Sequence, residues 1–125
     1  MAVRFVYTGI GVRDLDRSIE FYTKSLGMEL IDRLPARRPG GGANLWSPGS
    51  AQLLEFNWYP RSKYRGGNEL DHLAFECVDV RKDVDRLAKM GAKVTRPIEV
   101  RPKHIVGFVK EPVNGIWIEL CEERT

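Results

Sequence analysis

Four side chains recur across the two halves of this 125-residue chain in types that could share chemistry. Tyr7 and His72 are 65 positions apart, and Glu55 and Glu119 are 64 apart. Glutamate and histidine are divalent-metal ligands. Taken singly, a strand glutamate is usually a solvent-facing edge residue and a single histidine a hydrogen-bonded one. Together they point elsewhere. Stripping water from a carboxylate costs several kcal/mol unless a cation or donor compensates. Two carboxylates in equivalent slots beside an imidazole therefore predict one divalent ion between them.

Those residues need elements to hold them, and the landmarks around them also repeat. Asp14-Leu15 and Asp79-Val80 each open a helical stretch, and Gly27 and Gly91 close them. Asp14 is a good N-cap, with Leu15, Ile19, Tyr22 and Leu26 following at helical spacing. Val80, Val84, Leu87 and Ala88 make the second stripe. Residues 3–12 alternate as a strand, and further strands are expected at 28–33, 44–46 and 51–57. The two prolines and three successive glycines of 34–42 read as a loop, and as a candidate lid. In the second half, strands are expected at 71–78, 93–98, 104–110 and 115–122. Each half is thus βαβββ. The expectation is an α+β domain spanning 1–125, with modules 1–64 and 65–125, a curved mixed sheet around a cleft and helices outside.

Period-two geometry assigns the faces. Leu53 and Asn57 accompany Glu55, Trp117 and Cys121 accompany Glu119, Ala74 and Glu76 accompany His72, and Gly9 and Gly11 accompany Tyr7. The opposite faces are apolar enough to lie beneath a helix. The spacious faces would line the cleft with Tyr7, Glu55, His72 and Glu119.

Composition narrows the partners. Apolar residues make up 42% and charged residues 30%, and the net charge is +3. No run approaches the roughly 18 apolar residues that a bilayer demands. The first residues enter strand-like sequence without a signal-peptide core, so a cytoplasmic location is expected. No basic helix or aromatic-spaced basic stripe suggests nucleic acid. Cys77 and Cys121 lack CxxC spacing and read as free thiols.

With these elements in place the chain resembles the vicinal oxygen chelate superfamily (the glyoxalase, bleomycin-resistance and dioxygenase proteins), closest to its glyoxalase I (lactoylglutathione lyase) members. The resemblance spans nearly the whole sequence. It is carried by Tyr7-Thr8-Gly9-Ile10, by Val12 through Lys24, and by Leu26-Gly27-Met28. Leu54-Glu55, Asn57-Trp58, Asp71-His72-Leu73-Ala74, Glu111-Pro112 and Gly115 through Leu120 complete it. It implies a metal-dependent isomerase or lyase that moves a proton next to a carbonyl through an enediolate, on a small substrate with two adjacent oxygens. It implies Glu55, His72 and Glu119 as metal ligands, Glu119 and Glu55 as catalytic carboxylates, and a homodimer. Glyoxalases carry His or Gln in the slot of Tyr7, which here would ligate, bond a bound water or fill space. An arginine that grips the glutathione carboxylate is replaced by Gly11, so glutathione is not implied as co-substrate. The one-imidazole, two-carboxylate set suits Ni, Co, Zn, Mn or Fe.

The same resemblance leaves rivals. An acyl-thioester epimerase shares the site, an extradiol dioxygenase uses two histidines where this chain has His72 and Tyr7, and a metal-free bleomycin-resistance-like binding protein would use Trp58, Tyr59 and Trp117. Arg37, Arg38, Arg61, Lys63, Arg65, Arg101 and Lys103 fall in loops at the expected rim. Arg38, Lys103 and Trp117 are the expected contacts to an anionic small molecule. His104, beside the last of these loops, reads as an exposed histidine.

Overall fold

A computed structural model describes residues 4–34, 40–60 and 70–125. The chain forms two compact units, Met1–Arg65 and Gly66–Thr125. Among the described residues no helix is long and apolar enough to cross a membrane.

Unit 1 runs β1 (Tyr7–Gly11), α1 (Leu15–Lys24), β2 (Glu29–Leu34), β3 (Gly41–Trp46) and β4 (Leu53–Trp58). Its four-stranded sheet has the order β1-β4-β3-β2, with β1 parallel to β4 and the other pairs antiparallel. The Asp14 carboxylate caps α1 by accepting from the Arg17 backbone N–H at 3.0 Å, which satisfies one of the donors a first turn leaves open. Ser18, Ile19, Phe21 and Tyr22 form the buried side of α1. The Tyr22 ring meets Phe56 edge-on, with centroids 4.9 Å apart. Ser25 ends the helix, and Gly27, at φ +70°, turns the chain so that the Met28 N–H reaches the Tyr22 carbonyl; that left-handed conformation favours glycine.

Unit 2 repeats the plan with β5 (Leu73–Cys77), α2 (Val80–Lys89), β6 (Lys93–Val100), β7 (His104–Lys110) and β8 (Trp117–Glu123). The sheet order is β5-β8-β7-β6, again with one parallel pair, β5 with β8. Asp79 caps α2 through the Lys82 N–H, and Glu122 accepts from the Val80 N–H at 2.9 Å. Val80, Val84 and Leu87 are buried. Gly107 lets the helix lie close to β7: a Cβ there would stand 2.7 Å from Val84 Cγ2 and 3.0 Å from Ile98 Cδ1. Between β7 and β8, Glu111 is 1% exposed. Its carboxylate accepts from the backbone N–H groups of Asn114 and Gly115 and from the Asn114 side-chain amide, closing the turn from within.

The α+β expectation holds in both units, with shifts at the ends of elements. β1 begins only at Tyr7 where a strand from residue 3 was expected, and β3 begins at Gly41 where the sequence suggested a loop through Gly42. Glycine breaks regular structure by propensity, but here packing requires it. A Cβ on Gly42 would lie 2.9 Å from the Phe56 carbonyl oxygen and 3.0 Å from Leu34 Cδ1, and one on Gly41 would press Leu15 Cδ2 at 3.3 Å. Arg37 and Arg38, with the centre of the expected lid, lie outside the described residues, as do Arg61, Lys63 and Arg65. Both cysteines are free thiols.

Candidate metal and substrate site

In unit 1, the parallel register sets Gly9 beside Glu55 and Tyr7 beside Leu53. The three expected side chains converge over Gly9. A Cβ on that glycine would lie 4.0 Å from both Glu55 Oε1 and Tyr7 Cε2, and 3.5 Å from Asn57 Nδ2. Glu55 is half-buried, and its Oε1 accepts from Asn57 Nδ2 at 3.1 Å. Tyr7 is 47% exposed, so it stands at the surface of unit 1.

Unit 2 holds His72 and Glu119. Ala74 and Phe108 flank Glu119 in register, so the three share one face of the sheet. His72 lies just ahead of β5, and its Nε2 stands 3.6 Å from Glu119 Oε1. The opposite ring nitrogen, Nδ1, lies 2.6 Å from Asp71 Oδ2. In the tautomer that donates Nδ1–H to Asp71, the Nε2 lone pair would face a carboxylate oxygen. Two lone pairs facing each other repel, and 3.6 Å exceeds a good N–H···O contact. The spacing instead approximates the separation of two ligands on a tetrahedral ion, roughly 3.4 Å for bonds near 2.1 Å. A carboxylate on the far nitrogen is the usual orienting partner of a metal-bound histidine. The donors therefore fit a divalent cation. Among the described residues no three or more His, Cys, Asp or Glu side chains are gathered ready to hold an ion; His72 and Glu119 form a pair, and Glu55 belongs to unit 1.

Around that pair lies an aromatic shelf. The His72 ring meets Phe108 edge-on at 5.6 Å, and Phe108 leads to Trp117 at 6.3 Å. The Arg96 guanidinium lies over both rings, 5.0 Å from the Phe108 centroid and 5.6 Å from that of Trp117. Trp117 thus stands on the face expected of it. Lys103 sits exposed in the 101–103 turn, where its carbonyl accepts from the Arg124 N–H. Arg101 is engaged by the Glu99 carboxylate at 3.1 and 3.2 Å; this hydrogen bond and charge hold the Glu99 pKa below its ordinary value and raise that of Arg101. His104 is exposed, as expected. Burial pushes the Cys77 thiol up to about 11, with help from the Asp83, Glu122 and Asp79 charges.

Sequence reasoning missed Asp71 and Arg96. Strict alternation would put Asp71 on the face opposite His72, yet both precede β5 and escape that rule. Register shifts flank Arg96 on both sides, between Val94 and Arg96 and between Arg96 and Glu99, which removes the period-two signal.

Comparison with known proteins gives a consistent kinship. The sequence pattern of the Glyoxalase/Bleomycin resistance protein/Dioxygenase superfamily matches residues 4–120. A probable lactoylglutathione lyase of Vibrio parahaemolyticus is 32% identical, over 97% of this chain and 91% of its own. The lactoylglutathione lyase of Escherichia coli O157:H7 is 31% identical over 98% and 94%. Among solved structures, the trypanothione-dependent glyoxalase I of Leishmania major superposes with a TM-score of 0.81 at 29% identity, covering 98% of this chain and 88% of that one.

Proposed function

This chain belongs to the Glyoxalase/Bleomycin resistance protein/Dioxygenase superfamily, and from that membership we propose a divalent-metal-dependent isomerase or lyase acting on a small substrate with adjacent oxygens. It is an enzyme of the glyoxalase I-like kind. The observation that carries the metal reading is the His72–Glu119 pair, with Nε2 facing Oε1 across 3.6 Å while Asp71 occupies the other nitrogen.

We assign Glu55, His72 and Glu119 as the metal ligands, with Tyr7 as the group in the fourth slot. When bound, the ion would supply positive charge beside the two substrate oxygens and so favour loss of the adjacent proton. Glu119 is the first choice to receive that proton: its side chain is 17% exposed, sheltered yet open to substrate, and a positioned carboxylate can take a proton in the transition state. Glu55 is the second carboxylate, able to return a proton from the opposite side. Asn57 holds Glu55 by its Oε1 and leaves Oε2 available. Trp117 would flank the substrate, with Lys103 and Arg38 reaching its anionic end. We read the working form as a cytoplasmic homodimer, on the resemblance to glyoxalases.

Glu119→Gln tests the assignment. The amide keeps the shape of the side chain while removing the base, so turnover should fall by at least 100-fold with an unchanged melting temperature. Activity within twofold of the parent refutes the role of Glu119. Metal analysis of the purified protein separates the enzyme from a metal-free binding protein: a stoichiometric divalent ion supports the first, and its absence under metal-replete expression supports the second.

A further inference from the structure

Arg96 lies outside every role assigned so far. The register runs from Arg96 on β6 to Phe108 on β7 and Glu119 on β8, so its side chain shares the face of the His72–Glu119 pair. It is exposed, yet its guanidinium carbon stands 5.0 Å from the Phe108 centroid and 5.6 Å from that of Trp117, over both rings. Among the described residues no carboxylate forms an ion pair with it; the neighbouring Glu99, whose pKa its charge helps to lower, is bound by Arg101. A guanidinium drawn to aromatic rings still has five N–H donors to offer an anion. The ring contacts also limit the freedom the side chain would lose when an anion binds.

Phe108 serves as a ruler. Its ring neighbours both the His72 ring and the Arg96 guanidinium. The Arg96 guanidinium carbon lies 5.0 Å and the His72 ring 5.6 Å from the Phe108 centroid, so guanidinium and imidazole stand no more than about 11 Å apart. A carboxylate held by two parallel bonds places its carbon about 4 Å from the guanidinium carbon. The remaining gap spans roughly three or four covalent bonds.

We propose that Arg96, on its Phe108–Trp117 shelf, is a further anion-binding residue of this site in addition to Lys103 and Arg38, and that the substrate is a compact oxo acid carrying a carboxylate within three or four bonds of the reacting carbon. This rests on reading His72 and Glu119 as the reacting end. A long thiol adduct, with carboxylates many bonds from its carbonyl, would not satisfy Arg96 and the pair together.

The test is binding of malonate and of its neutral diamide, malonamide, to metal-depleted protein, followed by tryptophan emission with Trp117→Phe as the control for the reporter. The parent should bind malonate saturably and at least tenfold more tightly than malonamide. Arg96→Met, which keeps a chain to cover the rings but removes the charge, should weaken malonate at least tenfold and leave malonamide unchanged. Arg96→Lys should fall between them and still prefer malonate; this variant decides the matter if Arg96→Met does not fold. Equal malonate affinity in parent and Arg96→Met, no preference over malonamide in Arg96→Lys, or no saturable malonate binding in the parent overturns the proposal. Because binding is read without metal or turnover, an active Glu119→Gln enzyme would defeat the proposed reaction while leaving this result standing.

Discussion

Asp71 offers the sharpest handle on the metal reading, because it touches the ligand and not the ion. Its Oδ2 lies 2.6 Å from His72 Nδ1, a distance typical of a strong hydrogen bond. Loss of such an orienting partner typically costs 10–100-fold in metal affinity. Two features of this structure select the lower end. The Asp71 side chain is 90% exposed, so water screens its charge. The His72 ring is also braced by Phe108, which limits its rotation when the hydrogen bond goes. Asp71→Ala, removing both charge and acceptor, should weaken binding by about tenfold, or roughly 1.4 kcal/mol. Asp71→Asn keeps a carbonyl oxygen that still accepts from Nδ1–H, so its loss should be only about two- to fourfold. Calorimetric titration of Zn(II) or Co(II) into metal-depleted protein gives both numbers. If Asp71→Ala binds the ion as the parent does, the ring is set by packing alone and the argument from tautomer fails. If Asp71→Asn is worse than Asp71→Ala, the acceptor argument fails.

Three further outcomes follow from packing and burial. Gly107→Ala should destabilise the protein by about 1–3 kcal/mol, because its Cβ would meet Val84 and Ile98 under α2; a thermal melt matching the parent would refute that close approach. Glu111→Ala should cost about 1–3 kcal/mol for each backbone donor stranded in the 111–115 turn, with Glu111→Gln milder because the Asn114 amide can turn over to match it; urea unfolding measures both, and equal stability of the three proteins would sink this account. Cys77, raised to about 11 from 9.0 chiefly by burial, has roughly 100-fold less thiolate at pH 8 than a free thiol would. Iodoacetamide should therefore modify Cys77 slowly at pH 8 and faster as pH rises toward 11, whereas rapid labelling at pH 8 would contradict the burial.

Much of this fold was legible because its two halves obey the same local rules. Asp14 and Asp79 were readable as helix caps since a short carboxylate before an apolar stripe has few other uses, and both accept from the N–H three residues on. The pairing of Gly9 with Glu55 and of Ala74 with Glu119 was also legible in outline, since period two fixes which residues share a face. Gly41 and Gly42 misled because propensity sees only the chain itself. The residues that demand their missing side chains, Leu15, Leu34 and Phe56, are distant in sequence. Glu111 drew notice as part of a motif, but nothing local reveals that its carboxylate is buried inside the turn it closes.

Equivalent rungs of the two sheets show why the site is harder to read than the fold. In unit 1 the rung runs Asp32, Asn44, Glu55, Gly9, and in unit 2 it runs Arg96, Phe108, Glu119, Ala74. The glutamates repeat, whereas their neighbours differ in charge and kind. In the first rung Asn44 donates to Asp32 at 2.9 Å, so its outer end is polar and anionic. In the second, an aromatic ring carries a cation. Duplication preserves backbone register and the position of the carboxylate, which the repeat exposes at once. The outer residues are freed from that symmetry, and it is they that would distinguish one end of a substrate from the other. A search for repeated residues finds what the halves share; the asymmetry between Asp32 and Arg96 is where substrate selection would be encoded.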